Sequence, residues 1–314
     1  IIHLANYYSK ERGIVTATDE KSNYGASVKD DPIWDLENLL AIKKQASEYG
    51  LEIYGIENFS PADWYDILLD GPGRQEQMEV LKQIIRNAGK AGIRSFGYNF
   101  SLAGVWGHQK HPHARGGAMS TCFDSSEIKY DAPIPKGQIW NMTYAAGDGT
   151  CLEPVSSLQL WDRLKRFLEE ILPVAEEAGV EMALHPDDPP LRRFGGIQRM
   201  VTSLEDYNRA MEIGNSPAWG VNLCLGCCSE KGGRDCALEM IRYLGARKKI
   251  LSVHFRDVQG TLPCFQECFL GEGNYDPAEI LYELGKVGYE GIIMEDHVLK
   301  MDYDSDYGHR ARSH

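Results

Sequence analysis

Four short apolar runs, EMALHP, WGVNLC, ILSVHF and GIIMED, each deliver a metal-capable side chain at their C-terminal end: His185, Cys224, His254 and Asp296. Each run is rich in Val, Ile, Leu or Met and follows a helical stretch, which is the signature of a buried parallel strand in a repeated β/α unit. In a closed (β/α)8 barrel the strand C-termini converge on one face, so residues far apart in the chain meet there. This pattern constrains the fold more than any other feature of the sequence.

Seven strands can be read: IIHLA (1–5), LEIYGIEN (51–58), IRSFGYNF (93–100), VEMALHP (180–186), WGVNLC (219–224), ILSVHFRD (250–257) and GIIMED (291–296). Helical periodicity with stop signals predicts helices over 34–50, 74–92, 156–179, 203–214, 234–245 and 276–288. The fourth helix of that series, at 203, opens on a capping-box pair, Ser203 and Asp206. The eighth strand is expected upstream of Ile1 with its helix, because the chain opens on Ile and directly into an apolar run; GIVTAT (13–18) is the other candidate. The whole chain, 1–314, reads as a single α/β barrel domain interrupted at 101–156 by a long aromatic, Gly- and Pro-rich insertion. A structureless stretch of that length is expected to be a lid or an oligomer contact. Its histidines, His108, His111 and His113, read as a solvated loop in preference to a metal cluster. A doubly wound sheet is the rival architecture, but no GxGxxG follows the early strands.

A formal net charge of −13 without basic clusters argues against a nucleic acid or an anionic membrane as partner. No apolar run reaches the roughly 18 to 20 residues that span a bilayer, and a cytoplasmic protein is expected. Eight cysteines in 314 residues are too dilute for a disulfide scaffold, so reduced thiols are expected.

Two imidazoles, a thiolate and a carboxylate suit Mn²⁺, Fe²⁺, Co²⁺ or Zn²⁺ better than Mg²⁺ or Ca²⁺, which prefer oxygen. One His or Cys at a strand end is more often a packed core residue. Four in register outweigh that reading. A competing structural zinc site would use Cys224-x2-Cys227 and Cys264-x3-Cys268, and would leave His185, His254 and Asp296 unexplained.

Around this set, Asp187 and Asp188 in HPDDPP make either a plain turn or a group that orients His185 or binds substrate hydroxyls. Arg256, two residues beyond His254 on the same strand face, can clamp a carboxylate or form a salt bridge with Asp257 or Asp276. His297, beside Asp296, is a candidate acid/base because its ordinary pKa of ~6.5 lets it give and take protons. Glu57 and Asn99, at earlier strand ends, are candidate substrate or water ligands.

The stretches VAEEAGVEMALHPDDPP, GVNLCLG, VHFRDVQG and FQECFLGEGNYDPAEILYELGKVGYEG ending in EDHV resemble D-mannonate dehydratases, as do WDLENLLAIKKQASEYGLEIYGIEN and AGIRSFGYNF. The resemblance implies a TIM barrel related to xylose isomerases, with Mn²⁺ held by His185, Cys224, His254 and Asp296. It implies removal of water from D-mannonate to give 2-keto-3-deoxy-D-gluconate, with His297 as one acid/base. The family's second acid/base is a Tyr in a Gly-Tyr context, for which the nearby candidate is Tyr307 in DSDYGHRARSH. The family's Arg-Pro before Asp-His is Met294-Glu295 here, with Glu295 expected to point outward. A sugar isomerase or epimerase on the same scaffold, and a non-catalytic sugar-acid binder, are the alternatives. Self-association is expected of an acidic barrel with such an insertion.

Overall fold

The computed structural model describes residues 34–104, 109–128, 132–140, 142–194 and 196–302, with the backbone of short strands within 2–14. Seven strands form one sheet: β1 (Ile2–Ala5), β2 (Ile53–Glu57), β3 (Ser95–Tyr98), β4 (Glu181–Leu184), β5 (Trp219–Cys224), β6 (Ile250–His254) and β7 (Ile292–Met294). Each pairs parallel with the strand before it. That unreversed order is the order of a β/α barrel, whereas a doubly wound sheet switches direction partway. The seven strands are those expected. Of GIVTAT, Gly13–Ile14 pairs antiparallel with Tyr8–Ser9 outside the main sheet.

The crossovers carry α1 (Leu36–Glu48), α2 (Pro61–Leu69), α3 (Arg74–Lys90), α4 (Ser157–Ala178), α5 (Leu204–Ile213), α6 (Leu225–Gly245) and α7 (Pro277–Lys286). Helix α4 starts at a full capping box between Ser156 and Gln159 and ends at Gly179, whose φ of 68° is left-handed. Ser203 caps α5 through the Asp206 amide, as its spacing predicts. Helix α6 begins nine residues earlier than the 234 expected, directly after β5, and kinks at Gly232 and Gly233. The segment LGCCSEK lacks apolar periodicity because its buried face is polar and ends on the site. Helix α2 also escaped the sequence reading. None of the described helices is long and apolar enough to cross a membrane.

Strand alternation sorts side chains by size. Phe96, Tyr98, Trp219, Val221 and Leu223 are buried against the helical layer: Tyr98 meets Phe167 of α4 at 5.6 Å between ring centroids and accepts a 2.9 Å hydrogen bond from Trp219 Nε1. The other face of the same strands carries Ser95, Gly97, Gly220, Asn222 and Cys224. Small and polar residues inside, large apolar ones outside, leave room for chemistry at the mouth.

The 101–156 insertion is not structureless. Its strands Gln109–His111 and Ser120–Asp124 pair with each other, and the second pairs antiparallel with Cys264–Cys268, which forms a hairpin with Asp257–Thr261. Phe123 stacks on Phe265 at 5.3 Å over buried Val258, giving this four-stranded sheet its own small core. The sequence reading missed this because its pairing partners lie some 140 residues apart, and no local signal encodes such a pairing.

Candidate metal and acid/base site

Parallel register brings the four expected ligands to one end of the barrel. Cys224 lies opposite His254 across β5 and β6, and His254 lies opposite Met294, two residues before Asp296. His185 follows β4 directly, its amide bonded to Tyr98 O. One donor atom each from His185, Cys224 and His254 lie within 4.8 Å of one another. Asp296 adjoins them, with Oδ2 3.9 Å from Cys224 Sγ and Oδ1 3.3 Å from His254 Nδ1.

The donor atoms fit a divalent ion. His254 is buried, and its Nδ1 has no hydrogen-bond partner although it faces Asp296. Buried polar atoms are rarely left so. Its other nitrogen, Nε2, is 2.8 Å from the Asn222 amide and 3.6 Å from Glu57 Oε2, partners that fix the ring. Cys224 is the N-cap of α6, where the Cys227 amide donates to its sulfur at 3.4 Å. Burial opposes ionisation of this thiol, yet the hydrogen bond from Cys227, the charge of Arg256 and the two imidazoles outweigh it and hold its pKa well below the usual thiol value. Burial likewise disfavours charge on His254, but Glu57 and Asp296 push its pKa well up. His185 is raised too, against burial, by Cys224. The site therefore pairs anionic ligands with protons where a cation would sit.

His297 lies beside the ligands, its Nδ1 2.5 Å from Glu267 Oε1 and its Nε2 3.8 Å from Asp296 Oδ1. Burial disfavours the imidazolium, but the Asp296 and Glu267 carboxylates overcome this and push its pKa up to about 10. Its side chain is 34% exposed, so a ligand in the mouth can reach it.

Other expected site residues are placed differently. Arg256 does point into the mouth, but its Nε donates to Asp296 at 2.7 Å, Nη1 to Glu230 at 2.6 Å and Nη2 to Asp188 at 2.5 Å, with Glu267 at 3.5 Å. Protein carboxylates thus hold the donors that were expected to clamp a substrate carboxylate. Neither Asp257 nor Asp276 is its partner: Asp257 accepts from Ser229 and from the Val258 and Tyr275 amides, and Asp276 caps α7. Asp187, expected at substrate, accepts from the Met200 and Val201 amides and meets Arg199 at 3.4 Å, so it ties down the loop after β4. Glu57 stands beside His254, and Asn99 is buried just past β3. Glu295 is exposed, as expected. Tyr307 and His108 lie outside the described residues.

The rival Cys cluster does not assemble among the described residues: Cys264 is exposed on the antiparallel sheet and Cys268 donates to Asp257 O. His111 and His113 stack on each other at 4.9 Å without joining a described metal-capable group. A second acidic group, Asp188, Cys227 and Glu230, is filled by the Arg256 guanidinium. The sequence reading overlooked Asn222, Glu230 and Glu267. Only Asn222 had a local signal, two residues before Cys224 on the same strand face.

The D-mannonate dehydratase (UxuA) family matches residues 8–312 of this chain. The chain belongs to the D-mannonate dehydratase family. Mannonate dehydratase of Streptococcus suis (strain 05ZYH33) is 33% identical over 300 residues, covering 91% of this chain and 78% of that protein. Mannonate dehydratase 2 of Halalkalibacterium halodurans is 31% identical over 277 residues, covering 84% and 79%. The crystal structure of mannonate dehydratase from Streptococcus suis serotype 2 superposes with a TM-score of 0.78 at 29% identity, covering 99% of this chain and 89% of that one. A D-tagatose 3-epimerase-like protein, at 16% identity and a TM-score of 0.56, shares the fold. The dehydratase family and its xylose-isomerase-like TIM-barrel neighbours thus account for the strand order.

Proposed function

We propose that this chain dehydrates D-mannonate to 2-keto-3-deoxy-D-gluconate with a divalent cation, Mn²⁺ foremost, held by His185, Cys224, His254 and Asp296. The observation that carries the reading is the meeting of these four side chains beside His297 in a chain of the mannonate dehydratase family.

Loss of water across C2 and C3 requires a base for the C2 proton and an acid for the departing C3 hydroxyl. When bound, the cation supplies Lewis-acid stabilisation of the negative charge that builds on the sugar-acid carboxylate as C2 is deprotonated. His297 would hold or move one of these protons, with Nε2 as the atom left for the substrate by the Nδ1 bond to Glu267. Tyr307 is assigned the other proton transfer on family resemblance. Against burial, His297, His254 and Arg256 keep Asp296 ionised, and Glu230 holds the Arg256 guanidinium beside it.

The test is a keto-deoxy acid assay of Mn²⁺-loaded protein with D-mannonate against other hexonates, alongside His297→Asn. Turnover with D-mannonate that falls by about 10²- to 10⁴-fold in the variant is the expected result. Exchange of the C2 proton without loss of water would instead mark an epimerase, and no turnover in metal-loaded protein would sink the reading.

The same site predicts how metal uptake responds to pH. His185 and His254 have raised pKa values and must lose their protons to become ligands, so protons compete with the cation. Apparent Mn²⁺ affinity should fall as pH drops from about 8 to about 6, by roughly tenfold per pH unit for each proton displaced. Isothermal titration in buffers of different ionisation enthalpy counts those protons. A pH-independent affinity over that range would contradict the assignment of both histidines.

A further inference from the structure

Glu267 belongs to a strand that the barrel itself does not need. It lies on Cys264–Cys268, an inner strand of the antiparallel sheet, paired with Asp257–Thr261 on one side and with Ser120–Asp124 of the insertion on the other. The Ser120 hydroxyl bonds to the Glu267 carbonyl, fixing the backbone at that residue. Its side chain is 7% exposed and extends to His297 Nδ1 at 2.5 Å, with Arg256 Nη1 3.5 Å from the same oxygen.

We infer that Glu267 is a positioning residue for His297: by accepting from Nδ1 it fixes the imidazole plane and leaves Nε2 as the proton-transfer atom facing the mouth. This rests on the reading of His297 as an acid/base. A carboxylate behind an imidazole selects the Nδ1–H tautomer and steadies the ring as a proton moves at Nε2. A glutamate tethered only by a flexible loop would not hold that geometry. Here the insertion sheet anchors it, which gives residues 109–124 a role at the site: they buttress the strand that carries Glu267.

The experiment compares Glu267→Gln, Glu267→Asp and His297→Asn in Mn²⁺-loaded protein, measuring kcat, KM, bound Mn²⁺ and thermal midpoint. In Glu267→Gln the amide can turn its NH₂ to Nδ1 and favour the opposite tautomer. It is expected to lower kcat by about a hundredfold or more, with KM within about threefold and with wild-type Mn²⁺ content. Glu267→Asp, which keeps the carboxylate, should recover at least about tenfold of that loss. Wild-type kcat in Glu267→Gln, or loss of Mn²⁺ or of fold in step with kcat in both Glu267 variants, overturns the inference. Full turnover in His297→Asn would instead remove the acid/base reading on which it rests.

Discussion

Arg256→Ala is expected to cost about 3–5 kcal/mol of folding stability, the penalty for removing one partner from a buried ion cluster. Asp188, Glu230 and Glu267 have side chains 3%, 0% and 7% exposed, and Asp296 joins them on the same guanidinium. Without it, buried carboxylates face one another in a medium that solvates them poorly. The fit is also steric: a Cβ at Gly226 would lie 2.3 Å from Arg256 Cζ, so the first turn of α6 rests against the guanidinium. A lysine cannot replace it, because a single ammonium does not span carboxylates on α6, on the Cys264–Cys268 strand and on two loops. The sign of the pH response follows. Burial and the neighbouring Asp188 already hold the Glu230 pKa well above its usual value. Removing the cation raises it further, and a carboxyl with a raised folded-state pKa favours the folded state as pH falls towards protonation. The deficit of the variant, measured by urea denaturation, should therefore be largest at neutral pH and shrink in mild acid. A deficit under about 1 kcal/mol at neutral pH would show that the cluster relaxes or admits water.

That cluster also marks where sequence reasoning reaches and where it stops. Cys224, His254 and Asp296 were legible because each ends an apolar run whose alternation fixes the inward face. Arg256 was placed correctly in the mouth by the same alternation, two residues past His254. Its role was not legible. Glu230 sits in LGCCSEK, a helical turn without periodicity, and Glu267 comes from a strand whose pairing with Ser120–Asp124 is set by tertiary contact. A lone arginine at a strand end is compatible with either a substrate carboxylate or a protein one, and only the non-local partners decide. Asp187 illustrates the same limit, since its two backbone donors, Met200 and Val201, belong to a loop that no period predicts. The barrel order was readable from one dimension; the sheet grafted onto its mouth was not.

Cys224→Ala is expected to abolish stable Mn²⁺ binding and to lower turnover by at least about a thousandfold, the rate equivalent of the several kcal/mol of charge stabilisation that a bound cation contributes. The thiolate is the softest donor in the set and is held ionised, against burial, by hydrogen bonding from Cys227, the charge of Arg256 and the two imidazoles, so alanine removes an anion that the site is built to keep. The fold should survive, because the large outward-facing residues of β3 and β5 that pack the barrel against its helices do not touch the sulfur's role. Two measurements separate binding from folding. Adding Mn²⁺ should raise the thermal midpoint of the unsubstituted protein and leave that of Cys224→Ala unchanged, since only a ligand that binds the native state stabilises it. Asn222→Ala sets the scale between these extremes. The Asn222 amide is 2.8 Å from His254 Nε2, and with its oxygen turned to that nitrogen it keeps the proton there and leaves the Nδ1 lone pair for the cation. Loss of such an orienting partner is expected to weaken metal affinity by about 10- to 100-fold while leaving a saturable site. The ordering is the decisive outcome: Cys224→Ala without binding, Asn222→Ala weakened, the unsubstituted protein tight. If Cys224→Ala retained a full complement of Mn²⁺, the ligand set would have to be sought among Asp296, Glu57 and the two histidines without the thiolate.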